Sequence, residues 1–356
     1  MRRIGVILCV GMILMLAGCG RKDELEDKAF VLALGVDHTQ EGLYVTYGFP
    51  KASDKGSDSG DSSDKTAGDL PETGITAASL YEAEKIYDLR SDKHLDYSHL
   101  KAIVLNRELF SDTKQLLELL EYFEKQEPFA RSTKIFLGDE TATKIVAGHE
   151  DAGGFLNNMY ENGDYLTEEK AVTLQDLLNH WHNQDRVLMI PVVDVDGKQI
   201  AVTAYGICSR LAYIGELSVG ESDVIFFARG VKAPFSFQTQ EGNIIEVRNN
   251  RIESVFDRED TQVVYKLKLN GTARVVVGDT NSHDTVGQIE QSAVKQMETR
   301  IREIYGLWQQ EYQVDLLDSY RIVGSRSRKI ALDYRDRQQE YEKAIRLLPT
   351  VSLKFE

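Results

Sequence analysis

Apolar and polar residues alternate along this chain with two different periods, and the switches between them mark its elements. Lys28-Ala-Phe-Val-Leu-Ala-Leu-Gly-Val-Asp37 and Gly42-Leu-Tyr-Val-Thr-Tyr-Gly-Phe49 are β-rich apolar runs with a turn around His38–Glu41, which predicts a hairpin. Ala77–Leu89 follows as a helix, with Leu80, Ala83, Ile86 and Tyr87 available to one face. His99–Leu105 is strand-like, Leu116–Lys125 is a strongly patterned helix, and Lys134–Leu137 is a short strand. Further helices are expected at Thr141–Ala147, Gly153–Glu161 and Leu174–Trp181. Such alternation predicts an α/β or α+β first domain.

Val187–Val193 and Gln199–Tyr205 flank Asp194-Val-Asp-Gly197, where the Asp196-Gly197 pair signals a tight hairpin turn with positive φ. From Val231 the pattern becomes that of long antiparallel strands, Asn243–Phe256 and Thr261–Val277. In the second strand Val263, Tyr265, Leu267, Leu269, Ala273, Val275 and Val277 alternate with polar residues, giving one buried and one wet face. Asn270-Gly271 in its middle predicts a bulge or bend. Asp284–Trp308 returns to a helical period through Ile289, Ala293, Met297 and Ile301, an amphipathic helix suited to lie across the sheet. Thr350–Phe355 alternates again and closes the sheet.

The expected fold class is therefore α+β: a multi-domain chain of mixed β-sheets with packed helices, whose C-terminal domain has long antiparallel strands and an amphipathic helix. The expected division is 1–18, 19–186, a middle hairpin-containing unit 187–230, and 231–356. Residues 51–68 are a Ser/Asp/Gly tract with no apolar residue larger than alanine, so 51–74 is expected to be a flexible loop. Its aspartates lack the spacing and closing glutamate of a calcium loop.

The first residues change the picture most. Arg2 and Arg3 precede an apolar run, Ile4–Leu16, that is shorter than the ~20 residues a spanning helix needs. Leu16-Ala17-Gly18-Cys19 then matches a bacterial lipobox, after which the chain is fully polar. Residues 1–18 thus read as a lipoprotein signal peptide and Cys19 as the cysteine that takes a diacylglycerol and a fatty acyl chain such as palmitate; an uncleaved signal anchor is the alternative. Two acyl chains anchor stably, each buried methylene contributing ~0.8 kcal/mol. The site reading is lipidation at Cys19 and nothing else covalent.

Charge and cysteines narrow the classes further. The whole chain carries a net charge of −15, and the signal holds two arginines and no acid, so the mature chain stands at −17. That charge and the lack of a basic stretch argue against nucleic-acid binding. After Cys9 leaves and Cys19 is lipidated, Cys208 remains alone in an apolar strand-like run and reads as buried and structural. One local exception is Arg321–Arg346, with eight basic residues against four acidic ones. This excess reads as a solvated helix face, or as a surface for anionic headgroups or an acidic partner.

No catalytic constellation is present: no nucleophile elbow, phosphate loop or His-Glu-x-x-His motif. Asp194 and Asp196 are explained by the turn. His180 and His182 point to different faces of a helix and read as surface histidines at its end. Asn270-Gly-Thr272 has the form of a glycosylation acceptor and reads as strand. The chain is accordingly read as no enzyme, with no cofactor and no metal.

The ordered blocks resemble a known family. A lipobox cysteine, then Glu26-Asp27-Lys28-Ala29, then Gly35-Val36-Asp37 at a strand end closely resembles the start of the Ger(x)C (GerAC-like) spore germination lipoproteins. His99-Leu100-Lys101-Ala102-Ile103-Val104, the Ile190-Pro191 hairpin and Val314-Asp315-Leu316-Leu317 resemble later blocks of the family in the same order. The chain departs from it in lacking a tryptophan after Cys19 and the usual aromatic and proline pattern over 318–349. The resemblance implies the C subunit of a nutrient germinant receptor, on the outer face of the spore's inner membrane. Its partners would be an A subunit with membrane spans, a multi-pass B subunit that is the expected nutrient binder, and lipid through Cys19. It implies three domains of mixed α/β character and a role in assembly or signalling. The competing readings are a solute-binding lipoprotein of a transporter, which needs two similar lobes with parallel sheets, and a lipid-anchored wall hydrolase, which needs paired carboxylates or zinc.

Overall fold

The computed structural model describes residues 25–50, 74–183, 186–196, 199–278 and 283–356. The expected signal peptide, Cys19, the loop from residue 51 to 73 and Gly197 of the expected turn lie outside the described residues. The larger sheet contains β2 (Ala33–Thr39), β3 (Gly42–Gly48), β4 (Gly74–Ala77), β6 (Ala102–Asn106), β7 (Lys134–Gly138), β8 (Val187–Asp196), β9 (Gln199–Ser209) and β10 (Ala212–Ser218). Their order is β10-β9-β8-β7-β6-β2-β3-β4. The four central strands run parallel, because helical crossovers separate β6, β7 and β8, whereas the expected β2–β3 and β8–β9 hairpins are antiparallel. A short parallel ribbon of β1 (Lys28–Phe30) and β5 (His94–Asp96) splits the first expected strand in two.

Helices cover both faces of this sheet. On one lie α1 (Leu80–Asp88), α2 (Thr113–Lys125) and α5 (Leu174–His182), whose Leu80, Leu116, Leu120, Phe123 and Leu177 bury Ile103 and Leu105 of β6. On the other lie α3 (Ala142–Gly148) and α4 (Ala152–Glu161), whose Ile145, Val146 and Leu156 bury Ala102 and Val104. Every residue of β6 and β7 is buried, as expected for central parallel strands covered on both sides. β8 also pairs with β7, so the hairpin of residues 187–230 lengthens the N-terminal sheet.

The remaining elements are α6 (Val219–Arg229), β11 (Phe235–Gln238), β12 (Ile244–Glu259), β13 (Gln262–Val277), α7 (His283–Tyr312), α8 (Ser319–Arg326), α9 (Arg328–Asp333), α10 (Gln338–Ala344) and β14 (Ile345–Phe355). The second sheet runs β11-β12-β13-β14, and β14 joins β13 in parallel, which the helical crossover α7–α10 permits. The predicted amphipathic helix buries Ile289, Ala293, Met297, Ile301, Tyr305 and Trp308. The expected irregularity near Asn270-Gly271 is present, but the extra residue sits on the partner strand. Arg248 pairs with Thr272 and Arg251 with Asn270, leaving Asn249, at φ 54°, and Asn250 opposite Gly271. Asparagine tolerates that left-handed conformation better than most residues.

The two cores share the strands of the hairpin. Leu188, Ile190, Cys208 and Val192 face the first core, while Val187, Met189, Tyr205 and Ile207 face the second, with α6 and α7. A period of two residues thus serves two cores at once.

Candidate functional site

Each block that carries the family resemblance makes a structural joint. After a short turn at Leu25–Asp27, Lys28 forms an ion pair of 2.8 Å with Asp96 across the β1–β5 ribbon. Against the desolvation that would raise it, hydrogen bonds from Lys28 and Ser98 hold the Asp96 carboxyl down at about 2. His99 sets the edge of its ring on Phe30 with centroids 5.0 Å apart, Leu100 is buried, and the Lys101 backbone N–H donates to Leu32.

Asp37, at the end of β2, is buried and caps the start of α3. Its carboxylate accepts the backbone N–H of Ala142 at 2.6 Å and of Thr143 at 2.9 Å, and the Thr143 hydroxyl at 2.6 Å. These are donors that a helix start leaves without internal partners. Two residues earlier, a Cβ on Gly35 would stand 3.2 Å from Val146 and 3.3 Å from the Ala142 backbone, so glycine lets α3 seat on the strand. Asp315 does comparable work in the second core. It is buried, accepts the Ser319 hydroxyl at 2.6 Å and the Tyr320 N–H at 3.1 Å, and receives Tyr305 at 3.2 Å. Burial pushes its carboxyl up, against the Ser319 hydrogen bond.

Cys208 is fully buried and burial pushes its thiol up, which leaves no thiolate for chemistry. The histidine pair differs from expectation. His180 is buried, not at the surface: its Nε2 accepts the Leu211 N–H at 3.2 Å, and burial, then the charge of Arg186, lowers its pKa to about 4. The β9–β10 turn closes over the helix end, a long-range packing that helical spacing does not encode. His182 stays exposed and contacts Glu124 at 2.7 Å. Asp194 pairs with Lys144 at 2.8 Å. Among the described residues no cluster of His, Cys, Asp and Glu could hold a metal ion, and no helix is long and apolar enough to cross a membrane.

Polar joints tie the two cores together. Lys170, 3% exposed, meets Asp223 of α6 at 2.7 Å; burial raises the Asp223 pKa while Lys170 opposes it. Arg210 in the β9–β10 turn pairs with buried Glu342 of α10. Arg229 donates to the Leu316 and Val187 carbonyls, and Asp318 accepts the Val187 N–H at 2.8 Å. Beside them opens a cavity of about 300 Å³ that Lys170, Asp176, Arg186, Arg229, Asp318 and Arg321 help to line. Over 321–346 the acids are largely spoken for: Asp333 by Arg258, Glu340 by Arg337, Glu342 by Arg210. Arg321, Arg326, Arg328, Lys329, Arg335 and Lys343 make no ion pair among the described residues, so the basic excess read in the sequence faces outward. None of the joints between the cores was legible as a pair, because the partners stand 42 to 132 residues apart.

A three-layer α/β module, extended by a hairpin into a second core of four strands and a long crossing helix, is a scaffold of structural joints and surfaces. Residues 21–195 match the family described as spore germination protein N-terminal domain. The fold is similar to that in a solved structure described as the crystal structure of the GerBC protein, with a TM-score of 0.59 and 15% identity, over 90% of this chain and 96% of that one. At that identity the likeness is one of fold. A search of the curated proteins finds no match. Over residues 21–195 the chain is GerAC-like, a spore germination protein N-terminal domain.

Proposed function

We propose that this chain is the lipid-anchored C subunit of a nutrient germinant receptor, held on the outer face of the spore's inner membrane through Cys19. The observation that carries the reading is the spore germination domain over residues 21–195, which begins two residues after Cys19. Five residues lie between Cys19 and Leu25, where the described fold begins, and six steps of ~3.5 Å per residue reach at most about 20 Å. The β1–β5 ribbon would therefore stay close to the headgroups, and the body would meet partner subunits at the membrane surface. The role is assembly of the receptor with its A and B membrane subunits and relay of their response, with no catalysis. The outward cations between Arg321 and Lys343 offer a surface for acidic groups on lipid or partner. A solute-binding lipoprotein would need two like lobes, and the two sheets here differ in strand number, order and helix cover.

Deleting the gene and following loss of refractility of dormant spores with single nutrients tests the role. Slowed or lost germination with at least one nutrient is expected; unchanged germination with all of them, in a strain without a second copy, refutes it. Cys19→Ala tests the anchor separately. That variant should fold, leave the membrane fraction and support germination poorly. Full membrane retention would mean that protein partners, not lipid, hold the chain there.

A further inference from the structure

Around α9 the chain turns a cationic face outward with one exposed leucine in its middle. Ile330 of this helix is 4% exposed and belongs to the second core, whereas Leu332 is 56% exposed. Arg328 stands four residues before Leu332 and Lys329 three before it, so all three share the side of α9 turned away from Ile330. Arg335 follows in the turn after the helix, three residues beyond Leu332, and Arg326 ends α8 two residues before Arg328. All four cations are exposed, and among the described residues none of them makes an ion pair.

The acids nearby are largely committed. Asp333 pairs with Arg258, Glu340 with Arg337 at 3.0 Å, and Glu259 with Arg346. Asp336 is the one acid of residues 321–346 that makes no ion pair among the described residues, so the four cations outweigh it by three. The face is held from below. The Tyr334 ring meets Tyr341 with centroids 5.6 Å apart, and the Tyr320 hydroxyl donates to the Tyr334 carbonyl at 3.1 Å.

An exposed leucine is ordinary by itself. Cations alone would suit an acidic protein surface as well as a lipid one. A single apolar tip set among cations on a fixed support favours lipid, because headgroup phosphates and the acyl boundary lie side by side at a bilayer surface. The chain as a whole carries a net charge of −15, which an anionic membrane repels, but charges more than ~8 Å from the surface are largely screened.

We propose that α9 and its flanks form a second membrane contact, in which Arg326, Arg328, Lys329 and Arg335 meet the headgroups of an anionic bilayer and Leu332 dips between them. The contact rests on the membrane-anchored reading of the chain and adds which side of the body turns to the lipid. Three net charges and one leucine give an association constant on the order of 10³–10⁴ M⁻¹, no more than a single acyl chain gives. That is too weak to hold the chain alone and enough to orient a chain already anchored.

Sedimentation with vesicles tests the contact on residues 20–356, which contain all of the described fold and neither the signal peptide nor Cys19. Vesicles of equal parts phosphatidylcholine and phosphatidylglycerol should bind the chain in that range, and phosphatidylcholine alone at least about tenfold more weakly. Arg328→Gln/Lys329→Gln should weaken binding at least about tenfold, and Leu332→Ser about fivefold. All three positions are exposed, so the variants should keep the fold, which circular dichroism checks. No binding to the anionic vesicles, equal binding to the neutral ones, or undiminished binding by either folded variant overturns the proposal. So does a face that binds no lipid yet is needed for co-purification with the membrane subunits, which would assign its cations to an acidic protein surface. Neither the Cys19→Ala fractionation nor the germination assay depends on this outcome, so failure of the contact and failure of the anchored reading are separately visible.

Discussion

Replacing Asp37 by alanine removes one carboxylate and strands two helix-start N–H groups. The side chain accepts Ala142 N–H at 2.6 Å, Thr143 N–H at 2.9 Å and the Thr143 hydroxyl at 2.6 Å, in a joint where Asp37 is 6% exposed. Thr141 already caps α3 by accepting from Lys144, so it cannot take over these donors. Each buried donor left unpaired costs about 1–3 kcal/mol, and loss of a carboxylate at a helix start adds about 0.3–1 kcal/mol. The variant regains the desolvation of Asp37 itself, so the expected net loss is about 3 kcal/mol. Asp37→Asn keeps one acceptor and should lose roughly half as much. The chain has two tryptophans, Trp181 in α5 and Trp308 in α7, so in a Trp308→Phe background Trp181 alone reports on the first core. Urea unfolding of Asp37→Ala in that background should show a midpoint about 1 M lower, for a slope of ~3 kcal/mol per M. An unchanged midpoint, or one no lower than that of Asp37→Asn, would refute the joint between strand and helix.

Three further outcomes follow from the same physics. His180 titrates near 4 in the fold against 6.5 when exposed, so its neutral form contributes stability above pH 6.5 that is lost as the pH falls toward 4, about 3 kcal/mol in all. The stability advantage of the wild-type chain over His180→Gln should accordingly shrink from pH 7 to pH 4; a constant difference refutes the burial. Lys170→Met leaves Asp223 as an uncompensated buried charge and should destabilise by about 3–5 kcal/mol, with most of that recovered in Lys170→Met/Asp223→Leu by urea titration. A double variant as unstable as the single one would count against the pair. Gly153→Ala places a Cβ 2.2 Å from the Leu32 carbonyl oxygen, so α4 must shift; a loss of about 1–3 kcal/mol by thermal unfolding is expected, and an unaltered melting temperature excludes the contact.

Much of the secondary structure was legible because its causes are local. The period-two run of β13, the four-residue spacing of Ile289, Ala293, Met297 and Ile301, and the apolar strands β6 and β7 each declare one or two buried faces. Gly35-Val36-Asp37 was legible as a block, but its purpose was not, since the helix that Asp37 caps begins over 100 residues later. His180 looked exposed because helical spacing describes only its own helix, and the turn that buries it belongs to β9 and β10. Glu84 gave no signal at all: it is one acid among several on α1, and the Tyr122 hydroxyl that it accepts comes from α2.

By itself, then, the sequence determined which segments form strands and helices, which of their faces seek a core, and the ordered blocks that resemble the family. The tertiary structure alone decided that β8–β10 widen the first sheet while facing the second core, that β14 enters in parallel, and which charges are paired. Periodicity is a property of neighbours in the chain. Strand order, burial of a polar group and pairing of charges depend on contacts between residues far apart in sequence, which no local pattern records.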